Sequence, residues 1–364
     1  MIHNLSCLFK CKRDSFCVEV IVVINSYQIS PSDIKTENRK SYESVKQFAE
    51  KNNTENFFLT PLLIEDLPGH QTGAGLPRKI GMDEAISHFK GENIDNGIIV
   101  SLDADTYVDE NYLVEIYKAF RKQKLLSATI RFHHPIEYLS ESDPIRKATI
   151  LYEEYLHYYR EALEFTGYPY AYFTIGSAFA VTAKAYKQVG GMGKQQAGED
   201  FYFLQKVFPL GKTKFIDTTC VYPQARTSDR VPFGTGPAIA KMIEEETNCK
   251  LSYSFESFVE LRDFFDQINF FFHLSLNDIE NRIKELSLHM QLFLEKDNFL
   301  ERINEIKLHT SSAQSFKKRF FSYFTAFKII KYLNYVHPSI YPFRDVKKEY
   351  LLLKASKPFE EQEV

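Results

Sequence analysis

Between residues 18 and 132, short apolar runs of strand length alternate with stretches of helical periodicity. That alternation constrains the fold more than any other feature. "VEVIVVI" (18–24), "FFLTPLLI" (57–64), "GIIVSL" (97–102) and "SATIRF" (127–132) are the runs, rich in β-branched and aromatic residues. Tyr42, Val45 and Phe48, then Met82, Ala85, Ile86 and Phe89, then Leu113, Ile116, Tyr117 and Phe120 fall at helical spacing. A β-α-β-α order predicts a mostly parallel sheet with helices on its faces. Pro61 weakens the second run or confines it to a sheet edge. Asp109 stands where the third helix would take its N-cap.

The rhythm changes near residue 150. "IRKATILYEEYLHYYREALEF" (145–165) reads as a long aromatic helix, and "KFIDTTCVYP" (214–223) as a further strand. The segment "ARTSDRVPFGTGPA" (225–238) has Gly and Pro at close spacing and no periodicity. From 250 onward "FESFVELRDFFDQINFFF", "LNDIENRIKELSLHMQLFLE" and "SFKKRFFSYFTAFKIIKYLNYV" read as three successive amphipathic helices. The expected division is an α/β region over 1–245 and an all-helical extension over 246–364.

Composition excludes some classes. With a net charge of −3 over 364 residues, a surface devoted to nucleic acid is not expected. Five cysteines are an odd number in a chain of this size, which argues for free thiols rather than a disulfide framework. No apolar run reaches the length of a transmembrane helix, and "MIHNLSCLFKCKRDSF" is too polar for a secretory signal. Those features point to the cytoplasm. Adjacent His133 and His134 would face opposite sides of a strand, which argues against one shared metal.

The third strand ends in chemistry. In "NGIIVSLDADTYVDENYL" (96–113) an apolar run delivers Asp103 and Asp105 to one place. Ligands of open parallel sheets gather beyond the carboxyl ends of the strands. Alternate residues of an extended segment point the same way, so both carboxylates address one object. Two anions that close raise each other's pKa unless a cation separates them. A hard divalent cation is the natural partner. In isolation D-x-D is more often a strand-to-helix turn whose aspartates act as caps.

The arrangement of strand, D-x-D, short loop and amphipathic helix resembles glycosyltransferase family 2, which has the GT-A fold. Upstream, Pro77-Arg78-Lys79-Ile80-Gly81 occupies the five places of that family's A-R-N-x-G segment; Arg78 matches and Lys79 stands where Asn is usual. Downstream, "AGEDFYFL" (197–204) is similar to its E-D motif at Glu199 and Asp200. "TIGSAF" (174–179) looks like its acceptor-side strand, and "SDRVPFGTG" (228–236) sits where relatives carry a basic loop over the nucleotide. The likeness spans roughly residues 18 to 240. It departs at the start: the family's first strand and P-x-Y-N turn have no counterpart, and Asn25-Ser26 replaces the acidic residues after the second strand. Either the chain is shortened at its N-terminus or it holds its nucleotide by other means.

The resemblance implies a GT-A-like catalytic region over 1–245. The implied activity is that of a metal-dependent, inverting glycosyltransferase moving a sugar from a nucleotide-diphosphate donor to a saccharide or lipid-linked hydroxyl. It implies Mn²⁺ or Mg²⁺ on Asp105, with Asp103 on the metal through water or on the ribose or sugar. Arg78, Lys79, Arg226, Arg230, Gly176 and Ser177 would contact the nucleotide-sugar. Asp200 would be the base, with Glu199 the second candidate or an orienting partner. The rival reading is a non-catalytic nucleotide-sugar-binding or assembly subunit. A nucleotidyltransferase would want a Gly-rich phosphate loop near the N-terminus, and none is there. Phe320, Phe324, Phe327 and Ile330 near one helical face, with Lys317, Lys318, Arg319, Lys328 and Lys331 beside them, suggest either peripheral membrane contact or core packing.

Overall fold

The computed structural model describes residues 1–68, 73–92, 94, 96–227, 234–244 and 251–356. In chain order the elements are α1 (Ile2–Phe9), β1 (Val18–Tyr27), α2 (Ser32–Asn52), β2 (Phe57–Leu67), α3 (Gly75–Gly91), β3 (Ile98–Ser101), β4 (Tyr107–Val108), α4 (Tyr112–Gln123) and β5 (Ser127–Phe132). Then come α5 (Pro144–Phe165), β6 (Phe179–Thr182), α6 (Ala183–Gln188), α7 (Glu199–Val207), β7 (Thr213–Tyr222), α8 (Thr235–Glu244) and β8 (Leu251–Ser252). The remainder is α9 (Phe255–Phe271), α10 (Leu276–Lys284), α11 (Leu288–Lys296), α12 (Phe299–Leu308), α13 (Ala313–Tyr323), α14 (Ala326–Val336), β9 (Arg344–Asp345) and α15 (Val346–Ser356).

The chain divides into two compact units, Met1–Thr149 with Thr174–Lys241, and Ile150–Phe173 with Met242–Val364. The first is the α/β unit. β1 and β2 pair in parallel, with Val18 opposite Phe57 and Asn25 opposite Ile64. The other five strands follow the order β3-β6-β5-β7-β4. Within that sheet β5 runs parallel to β7, and the remaining pairs are antiparallel. β2 is an edge strand, which is where a proline is tolerated. Leu5, Ile24, Val45, Ala49 and Leu59 form a core cluster drawn from α1, β1, α2 and β2.

Asp109 does not cap α4, whose N-cap residue is Asn111. Its carboxylate instead accepts the Cys220 N–H at 2.8 Å and the Tyr222 hydroxyl at 2.9 Å. The side chain thereby ties the segment after β4 to the end of β7.

The second unit holds residues 150–173, which the sequence reading placed with the α/β region, together with the C-terminal helices. Within it the Tyr158 hydroxyl donates to the Tyr253 carbonyl at 2.9 Å, and the Tyr350 hydroxyl to Glu161 at 2.6 Å. The single helix read over 276–295 is two, because the Ser287 side chain accepts the Met290 N–H and starts α11 afresh. The one read over 315–336 also breaks, between Phe324 and Ala326, where the Ala326 N–H donates to the Tyr168 hydroxyl at 2.9 Å.

The abundant phenylalanines meet here. The ring of Phe264 contacts those of Phe299, Phe320 and Phe324 edge-on or tilted, with centroids 5.3–6.0 Å apart. Phe320 and Phe324 are therefore core residues; of the aromatic face suggested for a membrane surface, Phe327 is exposed. Among the described residues no helix is long and apolar enough to cross a membrane.

Candidate functional site

The D-x-D turn is pinned at both ends. Before it, Ser101, the last residue of β3, is buried and its hydroxyl donates to the Gly176 carbonyl at 2.6 Å. Within it, the Thr106 N–H donates to the Asp103 carbonyl at 3.1 Å. After it, β4 pairs with β7, Tyr107 lying opposite Tyr222, and Asp109 reinforces that contact. The turn leaves the side chains of Asp103 and Asp105 48 % and 34 % exposed, so both remain accessible to a ligand.

Arg78, one turn into α3, is the hub. Its Nη2 donates to Asp103 Oδ1 at 2.8 Å, and its Nη1 donates to Glu199 Oε1. Arg78 is 12 % exposed and Glu199 only 4 %, so the guanidinium bridges an enclosed carboxylate to an accessible one. Burial works against the Arg78 charge, but Asp103, Glu199 and Asp200 outweigh it and raise its pKa.

Two glycines make this arrangement sterically possible. A Cβ at Gly176 would lie 2.6 Å from Arg78 Nη2, so only glycine leaves room for the guanidinium. A Cβ at Gly75 would lie 2.3 Å from the Gln195 carbonyl oxygen, which lets the start of α3 approach the loop before α7. The Tyr27 hydroxyl, at the end of β1, donates to the Gly73 carbonyl at 2.7 Å and accepts the Gly73 N–H at 2.9 Å. That clamp holds the chain leading into α3.

Glu199 and Asp200 open α7, after Gly198 in the left-handed conformation with φ +69°. Both carboxyls titrate above their ordinary values. Burial is the main cause at each, with Arg78 pulling the other way. Asp200 Oδ1 accepts the Phe201 N–H at 2.7 Å. Glu199 is committed to Arg78. Asp200 shares that field without a direct ion pair to it among the described residues, and a half-buried carboxyl of raised pKa is suited to proton transfer.

Asp105 pairs with Arg226, Oδ2 to Nη2 at 2.5 Å. Two guanidiniums thus offset the two like charges at the strand end, Arg78 on Asp103 and Arg226 on Asp105. Each of these ion pairs occupies one carboxylate oxygen. Among the described residues no group of three His, Cys, Asp or Glu is placed to hold a metal ion. The donor set therefore does not form a protein cage. It fits a hard cation that takes one or two carboxylates and completes its shell with water and phosphate oxygens.

The remaining sequence candidates divide. Lys79 pairs with Asp83 on its own helix at 2.7 Å and is not in the cluster. Ser177 is 2 % exposed, inside a turn closed by the Ala178 N–H on the Ile175 carbonyl at 3.0 Å. Arg230 lies outside the described residues. His134 is buried while His133 is partly exposed beside Glu137, both just past the end of β5. Tyr27, Gly75 and Asp109 escaped sequence reasoning as site residues. Of these Asp109 had a local signal, being a third carboxylate six residues after Asp103.

No family model matches this chain, and no curated protein matches it. Among solved structures it is similar to S. aureus TarS 1–349 in complex with UDP, at 12 % identity and a TM-score of 0.41, covering 88 % of this chain and 85 % of that one. The same TarS fragment in complex with UDP-GlcNAc gives 13 % identity and a TM-score of 0.42 over the same shares. A longer TarS chain gives 13 % identity and a TM-score of 0.41, over 92 % of this chain and 52 % of that one. Likeness at this level transfers no residue role.

Proposed function

We propose that the α/β unit is a glycosyltransferase acting on a nucleotide-diphosphate sugar. One observation carries the reading: Arg78 joins the carboxylate pair beyond β3 to the carboxylate pair at the start of α7, leaving an acidic and basic rim open to solvent. Two carboxylate pairs in that relation suit a reaction in which a diphosphate leaves on one side and a hydroxyl is deprotonated on the other.

Asp105 and Asp103 are the residues that would hold Mg²⁺ or Mn²⁺, and the ion would supply positive charge to the leaving diphosphate. Arg226, already beside Asp105, has a guanidinium that can bind phosphate oxygens bidentately. Arg78 fixes Asp103 and Glu199 in place. Asp200 accepts the proton of the acceptor hydroxyl as its oxygen bonds to the anomeric carbon. The bond from that carbon to the diphosphate oxygen breaks, and the nucleoside diphosphate departs. A base facing the acceptor, opposite the leaving group, gives inversion. Glu199 acts through Arg78 and is a positioning residue.

A second reading, nucleotide-sugar binding without turnover, is favoured by one observation: both D-x-D carboxylates are already neutralised by arginines. Nucleoside diphosphate release from a panel of nucleotide-sugars, with acceptor saccharides and Mn²⁺, separates the two. The transferase reading expects release with at least one donor, falling about a hundredfold or more in Asp200→Asn. Donor binding without release from any member would establish the binding reading.

A further inference from the structure

The helical unit contains an open cavity of about 730 Å³ that the reaction does not use. Its lining comes from the α11–α12 junction, from α12 and α13, and from the start of α14. That volume lies in the range of pockets that hold small ligands.

The chemistry of the wall is specific. Lys328 Nζ donates to Asp297 at 2.5 Å, and the Tyr323 hydroxyl donates to the same carboxylate. The ammonium also lies 3.5 Å from the centre of the Tyr323 ring. Asp297 and Lys328 are 31 % and 15 % exposed, so this ion pair forms a half-buried floor. Arg302 pairs with Glu305 at 3.0 Å. Glu301 and Arg319 complete the charged lining, and neither is in an ion pair among the described residues. Asp297, Glu301 and Glu305 thus match Arg302, Arg319 and Lys328 in number, and the cavity carries no net charge.

A cavity of balanced charge gives little net attraction to a phosphate or a cation. What it offers is carboxylates, guanidiniums and an ammonium on one wall beside an aromatic ring. A vicinal diol is both donor and acceptor, so a carboxylate beside a guanidinium can bind both of its hydroxyls. We infer that this cavity binds an uncharged saccharide. Such a site would be a second carbohydrate-holding place, separate from the D-x-D site, and its occupancy does not depend on turnover at that site.

Hydrogen exchange of the full chain tests this, using maltotriose, cellotriose, triacetylchitotriose and inorganic phosphate as probes. The expected result is saturable protection by at least one trisaccharide of peptides covering 297–306 and 319–328, with none from phosphate. Arg319→Ala and Glu301→Gln, both at exposed positions, should each weaken that binding about tenfold, the loss of one hydrogen bond to a charged group. The inference is overturned if no trisaccharide protects these peptides at about 20 mM, where ligands of even millimolar affinity saturate. It is overturned equally if phosphate protects them instead, or if both variants bind as the unaltered chain does.

Discussion

At the scale of single residues the site depends on Arg78, whose charge is enclosed with Glu199 on one side and faces accessible Asp103 on the other. Replacing it with methionine leaves Glu199 buried without a partner. Removing one member of a buried pair costs about 3–5 kcal/mol, which urea unfolding at pH 7 would read directly. A further Glu199→Leu change should recover much of that loss, because the charge that lost its partner is then gone too. Asp200 yields a pH prediction. As the proposed base it must be ionised to accept a proton, and its pKa stands above the ordinary 3.8 because of burial. Turnover should therefore fall as pH drops through a value above 3.8, and the residual turnover of Asp200→Asn should lack that acid limb. Asp103, Asp105, Glu199 and Asp200 were legible in the sequence because each belongs to a short motif at a strand end or helix start. Gly75 and Tyr27 were not, since what they touch lies 120 and 46 residues away. Helical spacing carries Lys79 to Asp83, away from its neighbour's partners.

At the scale of elements, helix starts decide both the site and the second unit. The first residues of α9 are held by side chains from far along the chain. His337 Nε2 accepts the Ser254 N–H at 2.9 Å, and Glu349 accepts the Phe255 N–H at 2.6 Å. The other nitrogen of His337 lies 2.7 Å from the Leu333 carbonyl, so the ring works as a neutral imidazole protonated at Nδ1. Burial lowers the His337 pKa from 6.5. A depressed folded-state pKa gives stability that is present above pH 6.5 and is lost as pH falls through the folded value. Thermal unfolding between pH 7.5 and 5 should show that decline, and His337→Asn should flatten it. β1, β2, β3, β5 and the helices α2, α3 and α4 were legible because apolar runs of strand length alternate there with apolar residues at helical spacing. The breaks at Ser287 and Thr325 were not, because apolar residues continue across both and only the local caps and Tyr168 interrupt them.

At the scale of the whole molecule, two units are built on different principles. The α/β unit closes around sheets and presents charges at strand ends. The helical unit closes around phenylalanine rings, which accounts for an aromatic content concentrated late in the chain. Phe264 is fully buried among those rings. Phe264→Ala should cost about 3–5 kcal/mol in urea unfolding, the usual loss for a large aromatic side chain in a packed core. One of the boundaries falls inside α5, between Thr149 and Ile150. Sequence periodicity could not place it, because an uninterrupted helix gives no local signal of which neighbours its successive turns pack against.

The proposed function has Asp103 and Asp105 hold a divalent ion together with a diphosphate. Calorimetric titration of nucleoside diphosphates into the chain, with and without Mn²⁺, tests it most directly. Mn²⁺ should tighten binding of at least one nucleoside diphosphate by about tenfold or more, and Asp105→Asn should remove this gain. Binding that is indifferent to Mn²⁺, or a gain that survives Asp105→Asn, would contradict it.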